Sequence, residues 1–250
     1  MKVLTHTLLL LSLFITFSST AQSTTKAFDL YSHKHYNEAL IEYQTIDKNN
    51  TLNNSQNYDL YYNIANCYYK LNDLGHAVLY YEKALKLNPN NAEAKSNLQF
   101  CNKRLIDKVD TVEPFIISKW ATAISAMYSV NTWAIIILIG ISLFSILLYR
   151  FLVVERNAYN LAAMGVCSLI TILAILCANA NYTRLNNATN AIVTTSTLHV
   201  KSGPTEQSTE LFTLHEGCKI TIVQTVDTWV NIQVNNGNIG WVKTSEIAVI

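Results

Sequence analysis

The spacing of apolar residues changes character several times along the chain, and each change predicts a different kind of element. Between residues 22 and 110, apolar side chains recur at every third or fourth position, as on amphipathic helices. Two unbroken apolar runs come next, Trp133 to Val154 and Ala158 to Ala180, with only Glu155, Arg156 and Asn157 between them. Each can cross a hydrocarbon core as a helix, which takes about 20 residues. Beyond residue 190 the pattern shortens to β-branched segments with partial alternation: 191–193, Lys219 to Val226, Trp229 to Val234 and Ile239 to Val242. Asn236-Gly237 lies between the last two as a hairpin turn. The chain is read as a multidomain membrane protein: an α-helical region (22–110), a two-helix transmembrane hairpin (133–154 and 158–180) and a small C-terminal all-β barrel (190–250).

The start of the chain bears on which side the soluble parts occupy. Met1 and Lys2 precede an apolar core from Leu8 to Phe17, and Ser19-Thr20-Ala21 is a small-residue stretch of the kind a signal peptidase cuts. Residues 1–21 are expected to be a signal peptide; the alternative is an uncleaved N-terminal anchor. Both place the helical region from residue 22 outside the cytoplasm. A chain that crosses and returns within three residues leaves its two soluble parts on one face. Arg150 and Arg156 flank the tip, in keeping with a cytoplasmic loop, although Lys119 and Arg184 lie on the other side.

Between helices and hairpin, residues 111–132 form a juxtamembrane segment in which Ile116, Trp120, Ile124 and Met127 recur at helical spacing. Trp120, Tyr128 and Trp133 sit where an aromatic belt would lie. Two readings are open: a helix lying in the headgroup region, or a linker helix packed on the rest of the protein.

Within the helical region, Tyr58 to Pro89 reads YDLYYNIANCYYKLNDLGHAVLYYEKALKLNP. Tyr61, Ile64, Ala65 and Tyr68 take large, large, small and large sites of one helix. Ala77, Tyr81 and Ala84 take small, aromatic and small sites of the next, with Leu74-Gly75 read as the break between them. Small residues at 65 and 77 let the helices cross closely. This resembles a tetratricopeptide repeat (TPR). A weaker copy precedes it (Ala27, Tyr36, Ala39, Tyr43), and Ala92 to Leu105 begins a third unit or a cap. Two and a half repeats are fewer than such stacks need, so completion by the membrane-proximal segment or a partner is expected. Cys67 and Cys101 stand one repeat apart, on the order of 9–10 Å for packed helices. That is too far for a disulfide, and both are expected in the core.

In the barrel region, Val200-Lys201-Ser202-Gly203-Pro204, His215-Glu216-Gly217 and Gly240-Trp241-Val242 resemble bacterial SH3-type domains. Gly217 and Gly240 would serve turns and close packing, and Trp229 and Trp241 structure or a groove. The whole order, from signal peptide through tetratricopeptide units and two spans to an SH3-type domain, is similar to the BatE family of Bacteroides aerotolerance proteins. That resemblance implies a two-pass protein of the bacterial inner membrane with both soluble domains in the periplasm. It also implies partners among von Willebrand A-type membrane proteins and a MoxR-type ATPase, and a link to oxidative stress.

Composition narrows the chemistry. Only 14% of residues are charged, against about 25% in ordinary soluble domains. The net charge is +1, so nothing attracts nucleic acid. No phosphate-binding glycine loop, GxSxG elbow or HExxH helix occurs. His33 and His35 are expected on different faces of a helix and His76 at a turn, without carboxylate or thiol at ligand spacing, so no metal or cofactor is expected. Cys218 is read as a small barrel residue. The outward positions of the clear repeat give the candidate binding residues Tyr62, Asn66, Tyr69 and Lys70, with the tyrosines stacking on a peptide and Asn66 bonding a main-chain amide. The bland alternative is a row of tyrosines on a solvated helix. Asn66 stands where carboxylate-clamp repeats keep an asparagine, but Thr24, Phe28 and Glu93 replace the basic partners, which argues against a carboxylate clamp. Three function classes remain: a non-enzymatic membrane-anchored scaffold for protein–protein interactions in a cell-envelope complex, a peptidoglycan binder acting through the SH3-type domain, and a redox enzyme using Cys218.

Overall fold

The computed structural model describes residues 24–49, 54–107, 116–186 and 189–250. The expected signal peptide lies outside the described residues. The chain divides into two compact units, one formed by the repeats together with the barrel and the other by residues 111–187.

In the first unit, α1 (24–32), α2 (Tyr36–Asn49), α3 (Asn54–Lys70), α4 (Leu74–Leu87) and α5 (Ala92–Asn102) succeed one another through short turns. The breaks are chemically set. Lys34 and Asn72 take left-handed backbone (φ 67° and 64°), and Asp73 and Asn91 cap α4 and α5 by accepting bonds from the backbone N–H of His76 and Ala94. Leu74 and Gly75 therefore open α4 rather than break the chain; the break is Asn72-Asp73, where a residue tolerant of left-handed backbone meets a capping carboxylate. His33 and His35 likewise lie in the α1–α2 turn and not within a helix.

Ala27, Ala39, Tyr43, Ile46, Leu60, Ile64 and Cys67 bury one core between α1, α2 and α3. Ala65, Ala77, Val78, Tyr81 and Cys101 bury the next between α3, α4 and α5. Ala65 and Ala77 are fully buried, as close helix crossing requires. Cys67 and Cys101 are both free thiols, one in each core.

Seven antiparallel strands form the barrel: β1 (Asn190–Val193), β2 (Thr197–Lys201), β3 (Glu210–His215), β4 (Lys219–Val226), β5 (Trp229–Val234), β6 (Ile239–Lys243) and β7 (Ile247–Val249), in the order β3-β2-β6-β5-β4-β1-β7. Gly237 (φ 89°) turns the β5–β6 hairpin. Strands β2 and β3 escaped the sequence pattern because polar residues take exposed positions of their pleat, and β7 because it has only 3 residues.

The barrel completes the helical stack. Ile192 of β1 is fully buried within the α3–α4–α5 core, with Ala248 and Ile250 packed against the same cluster. Polar ties surround it: Lys219 Nζ meets Glu82 Oε2 at 2.8 Å, Lys86 Nζ donates to the Ile250 carbonyl at 2.8 Å, and the His215 backbone N–H donates to Asp107 Oδ2 at 2.6 Å. The apolar part governs. A fully buried large aliphatic side chain contributes about 1.5–3 kcal/mol, whereas a partly exposed ion pair contributes about 0–1. The chain's own barrel thus supplies a further layer on the stack.

In the second unit, α6 (Ile116–Ser125) packs on α8 (Ala158–Asn186), which runs against α7 (Val130–Tyr149). A π-helical turn, Arg150–Val154, ends the first apolar run. The runs Val130–Val154 and Ala158–Asn186 are long and apolar enough to cross a membrane. Gly140 admits α8 closely, since a Cβ there would lie 2.3 Å from Thr171 Oγ1, and Cys167 Sγ donates to the Gly140 carbonyl at 3.4 Å. Ile116, Trp120, Ile124 and Met127 leave an exposed apolar stripe along α6 and the turn beyond it. Trp133 is enclosed by protein. It is 8% exposed, its Nε1 donates to the Ser125 carbonyl at 2.9 Å, and its ring meets Tyr128 edge-on. Its indole N–H finds a partner at the end of α6 and is drawn inward.

A pair of glycines tests the docking. Gly217 and Gly237 both have positive φ, but a Cβ on Gly217 would lie 2.5 Å from Leu105 Cδ2 beyond α5, whereas one on Gly237 meets nothing within 4 Å. Gly237→Ala is expected to cost about 1 kcal/mol of backbone strain. Gly217→Ala is expected to cost about 2–3 kcal/mol, because the repeat–barrel contact must also part. Thermal unfolding of the two variants in one detergent measures the difference; equal losses would contradict the docking.

Candidate functional site

The repeat helices place their aromatic side chains in two directions. Tyr43 points into a core, Tyr81 is buried with its hydroxyl bonded to Asn66, and the outer side of α3 faces a groove of about 270 Å³ bounded by α1, α4 and α5. Tyr31, Tyr62, Asn66, Tyr69, Lys70, Tyr81, Asn97 and Phe100 line it. The four sequence candidates Tyr62, Asn66, Tyr69 and Lys70 are all among them. They come together because positions 62, 66, 69 and 70 fall on one side of a 3.6-residue helix.

Sequence reading missed the other walls. Tyr31 reaches the groove from α1, and Asn97 and Phe100 from α5. Phe100 had a usable signal, since it stands one repeat beyond Asn66, as Cys101 does beyond Cys67; Tyr31 had none, because the first copy of the repeat is degenerate. Thr24, Phe28 and Glu93 are not lining residues, and among the described residues Lys70 alone brings a formal charge to the lining.

Hydrogen bonds hold the groove floor. Asn66 Oδ1 accepts from the Tyr81 hydroxyl at 2.5 Å and from Asn97 Nδ2 at 3.3 Å, and Asn97 Nδ2 also reaches the Tyr62 hydroxyl at 3.1 Å. With its oxygen so engaged, Asn66 has its amide N–H groups to offer a ligand, and these suit a main-chain carbonyl. The Tyr62 ring lies 6.1 Å from Tyr58 in a stacked pair and 5.9 Å from Tyr81 in a tilted one. Arg104 rests its guanidinium 5.6 Å from the Tyr69 ring centre and bonds Asn72 Oδ1 at 2.5 Å. Burial pushes the Tyr31 phenol up to about 12 and raises Tyr81 further, so both remain neutral at ordinary pH. Beside the Lys70 ammonium, the lining is a set of neutral ring faces and amides.

Other candidate chemistry resolves into structure. Burial pushes the Cys67, Cys101 and Cys218 thiols up to about 12, 11 and 12, and the Asp107 carboxylate adds to the effect at Cys218. A buried thiol held protonated is a poor nucleophile. No cluster of three or more potential metal ligands occurs among the described residues. His76 is part of a helix cap: its Nδ1 lies 3.0 and 2.9 Å from the two Asp73 oxygens, and its ring stacks on Tyr68 at 4.9 Å.

Residues 58–91 match the family model of the tetratricopeptide repeat, and residues 196–248 match that of the bacterial SH3 domain. No curated protein matches the chain. Both matching families are typically non-catalytic interaction domains, which bind proteins or, for the second, peptidoglycan. The repeat model covers α3 and α4; α1, α2 and α5 extend that unit on either side.

The Asp73–His76 cap yields a pH dependence. The bond to Asp73 raises the His76 pKa against the opposing effect of burial, and the charges of Asp73 and Glu216 add to the rise. Burial alone would raise Asp73, but the side-chain and backbone bonds from His76 together bring it down. His76 therefore contributes its full stability below its unfolded value of about 6.5 and loses it as pH rises through the higher folded value. Asp73 contributes above about 3.9 and loses its share as pH falls through its lowered folded value. His76→Ala is expected to destabilise more at pH 6 than at pH 9, measured by denaturant unfolding. A pH-independent loss would contradict the ion pair.

Proposed function

We propose that the chain is a membrane-anchored, non-catalytic scaffold whose repeat groove holds an extended segment of another cell-envelope protein. The observation that carries this reading is the convergence of Tyr62, Asn66, Tyr69 and Lys70 with Tyr31, Asn97 and Phe100 on one groove of neutral rings and amides beside the Lys70 ammonium. Extended peptides bind such surfaces through ring contact with their side chains and amide bonds to their backbone. The hairpin of 133–154 and 158–180 spans the bilayer, with residues 111–132 as a headgroup helix and Arg150 and Arg156 at the cytoplasmic tip. The tetratricopeptide units (22–110) and the SH3-type domain (190–250) then share the periplasmic face, after a signal peptide over residues 1–21. The likeness to the BatE family supports an aerotolerance role, with von Willebrand A-type membrane proteins and a MoxR-type ATPase complex as partners.

A second reading gives the barrel to the cell wall. It is favoured by Trp229 and Trp241, neither of which belongs to the barrel core. Retention of the full chain on purified peptidoglycan would support it.

The groove reading predicts that Tyr62→Ala/Tyr69→Ala in the tagged protein lowers recovery of crosslinked envelope partners by tenfold or more, since buried aromatic contacts of this kind contribute about 1–2 kcal/mol each. Each tyrosine sits on the groove side of α3, so the variant should keep its helical circular dichroism. Unchanged recovery would refute the groove.

A further inference from the structure

The outer face of the barrel carries an arrangement that the repeat groove does not use. Along β5 and β6 the side chains alternate: Val230, Ile232 and Val242 fill the core, while Trp229, Trp241 and Lys243 take the opposite face. Lys201, at the end of β2, pairs with Trp241 in register and joins that face. Gly240 lets β2 come this close, because a Cβ there would lie 2.3 Å from Val200 Cγ1 and 3.0 Å from the Lys201 carbonyl oxygen.

Two ammonium groups share one indole. Lys201 Nζ lies 5.7 Å and Lys243 Nζ 5.9 Å from the Trp229 ring centre. The loop 202–209 lays Glu206 across both: its carboxylate meets Lys201 Nζ at 3.2 Å and Lys243 Nζ more closely still, and Lys201 Nζ also donates to the Glu206 carbonyl. The bond from Lys243 and then that from Lys201 hold the Glu206 carboxyl below its ordinary range. Like charges gathered on one ring repel each other unless an anion lies between them. Here that anion comes from a side chain 59% exposed, and so open to replacement by another carboxylate.

We propose that this face is a carboxylate-binding site for an acidic, extended segment of a partner protein, with Glu206 as its built-in competitor. A ligand carboxylate displaces Glu206 from between Lys201 and Lys243, and the neighbouring residues of the segment lie on the Trp229 and Trp241 rings. Charge complementarity selects the class of ligand: the Lys201 and Lys243 ammonium groups flank the Trp229 ring, and the acid that bonds both, Glu206, is mounted on an exposed loop. The site is separate from the repeat groove and stands whether or not the groove binds peptide.

The test uses the full chain in nanodiscs and fluorescence anisotropy of a fluorescein-labelled (Gly-Glu) repeat hexapeptide, with its (Gly-Gln) counterpart as control. The Glu peptide should bind and the Gln peptide should not, and salt near 1 M, where the screening length is about 3 Å, should release it. Glu206→Gln should tighten binding about threefold to tenfold, as expected when a surface ion pair no longer competes. Lys201→Gln/Lys243→Gln should abolish binding with the barrel's circular dichroism intact, and Tyr62→Ala/Tyr69→Ala should leave it unchanged. Equal binding of the Gln peptide, or no effect of Glu206→Gln, would overturn the proposal. Retention on purified peptidoglycan without binding of the Glu peptide would also overturn it and would assign the face to the wall.

Discussion

The burial of Ile192 in the helical core is the contact on which the soluble unit depends. A short tetratricopeptide stack leaves the apolar side of its last helix pair uncovered, and a stack of this length is marginal by itself. Here β1 supplies the missing layer: Ile192 enters the cluster of Ala65, Ala77, Val78, Tyr81 and Cys101, and Leu105 closes over Gly217. The Asp107–His215, Glu82–Lys219 and Lys86–Ile250 ties fix the register of that layer more than its strength. The small residues answer to it: Gly217 admits Leu105, and Gly75, where a Cβ would stand 3.1 Å from Glu216 Cβ, keeps the start of α4 close to the barrel.

This docking has a functional consequence. Because the barrel covers α4 and the segment after α5, the helices lining the groove are fixed from behind, and Asn66 ties them together through Tyr81 and Asn97. A preformed groove loses less entropy when it binds an extended segment than one that must first order itself. The same docking leaves the Trp229–Trp241 face of the barrel, on the far side of its core from Val230, Ile232 and Val242, as a surface with its own charge pattern.

Much of this was legible in the residues. Alternating small and aromatic positions from Tyr61 to Ala84 mark a helix pair because only small residues permit close crossing, and the same spacing puts Tyr62, Asn66, Tyr69 and Lys70 on one side of α3. The apolar runs and the Asn236-Gly237 hairpin are equally direct. The illegible parts depend on contacts distant in sequence. Ile192 reads as an ordinary strand residue, and nothing local says that it leaves the barrel core for a helical one. Nothing local to Trp133 says that the Ser125 carbonyl lies within reach of its indole N–H. Tyr31 joins the groove through a repeat too degenerate to align, and Leu74-Gly75 looks like a break because glycine usually is one, while the capping carboxylate of Asp73 places the helix start just before it.

Native-state hydrogen exchange of the full chain in nanodiscs tests the central claim, that repeats and barrel form one cooperative body. The account predicts that the slowest amides of α4 and α5 and those of β1 and β4 open with the same free energy and lose protection together as denaturant is added. Barrel amides that stay protected while α4 and α5 exchange at a much lower free energy would contradict it, and would make the barrel a separate domain with an unsupported stack beside it.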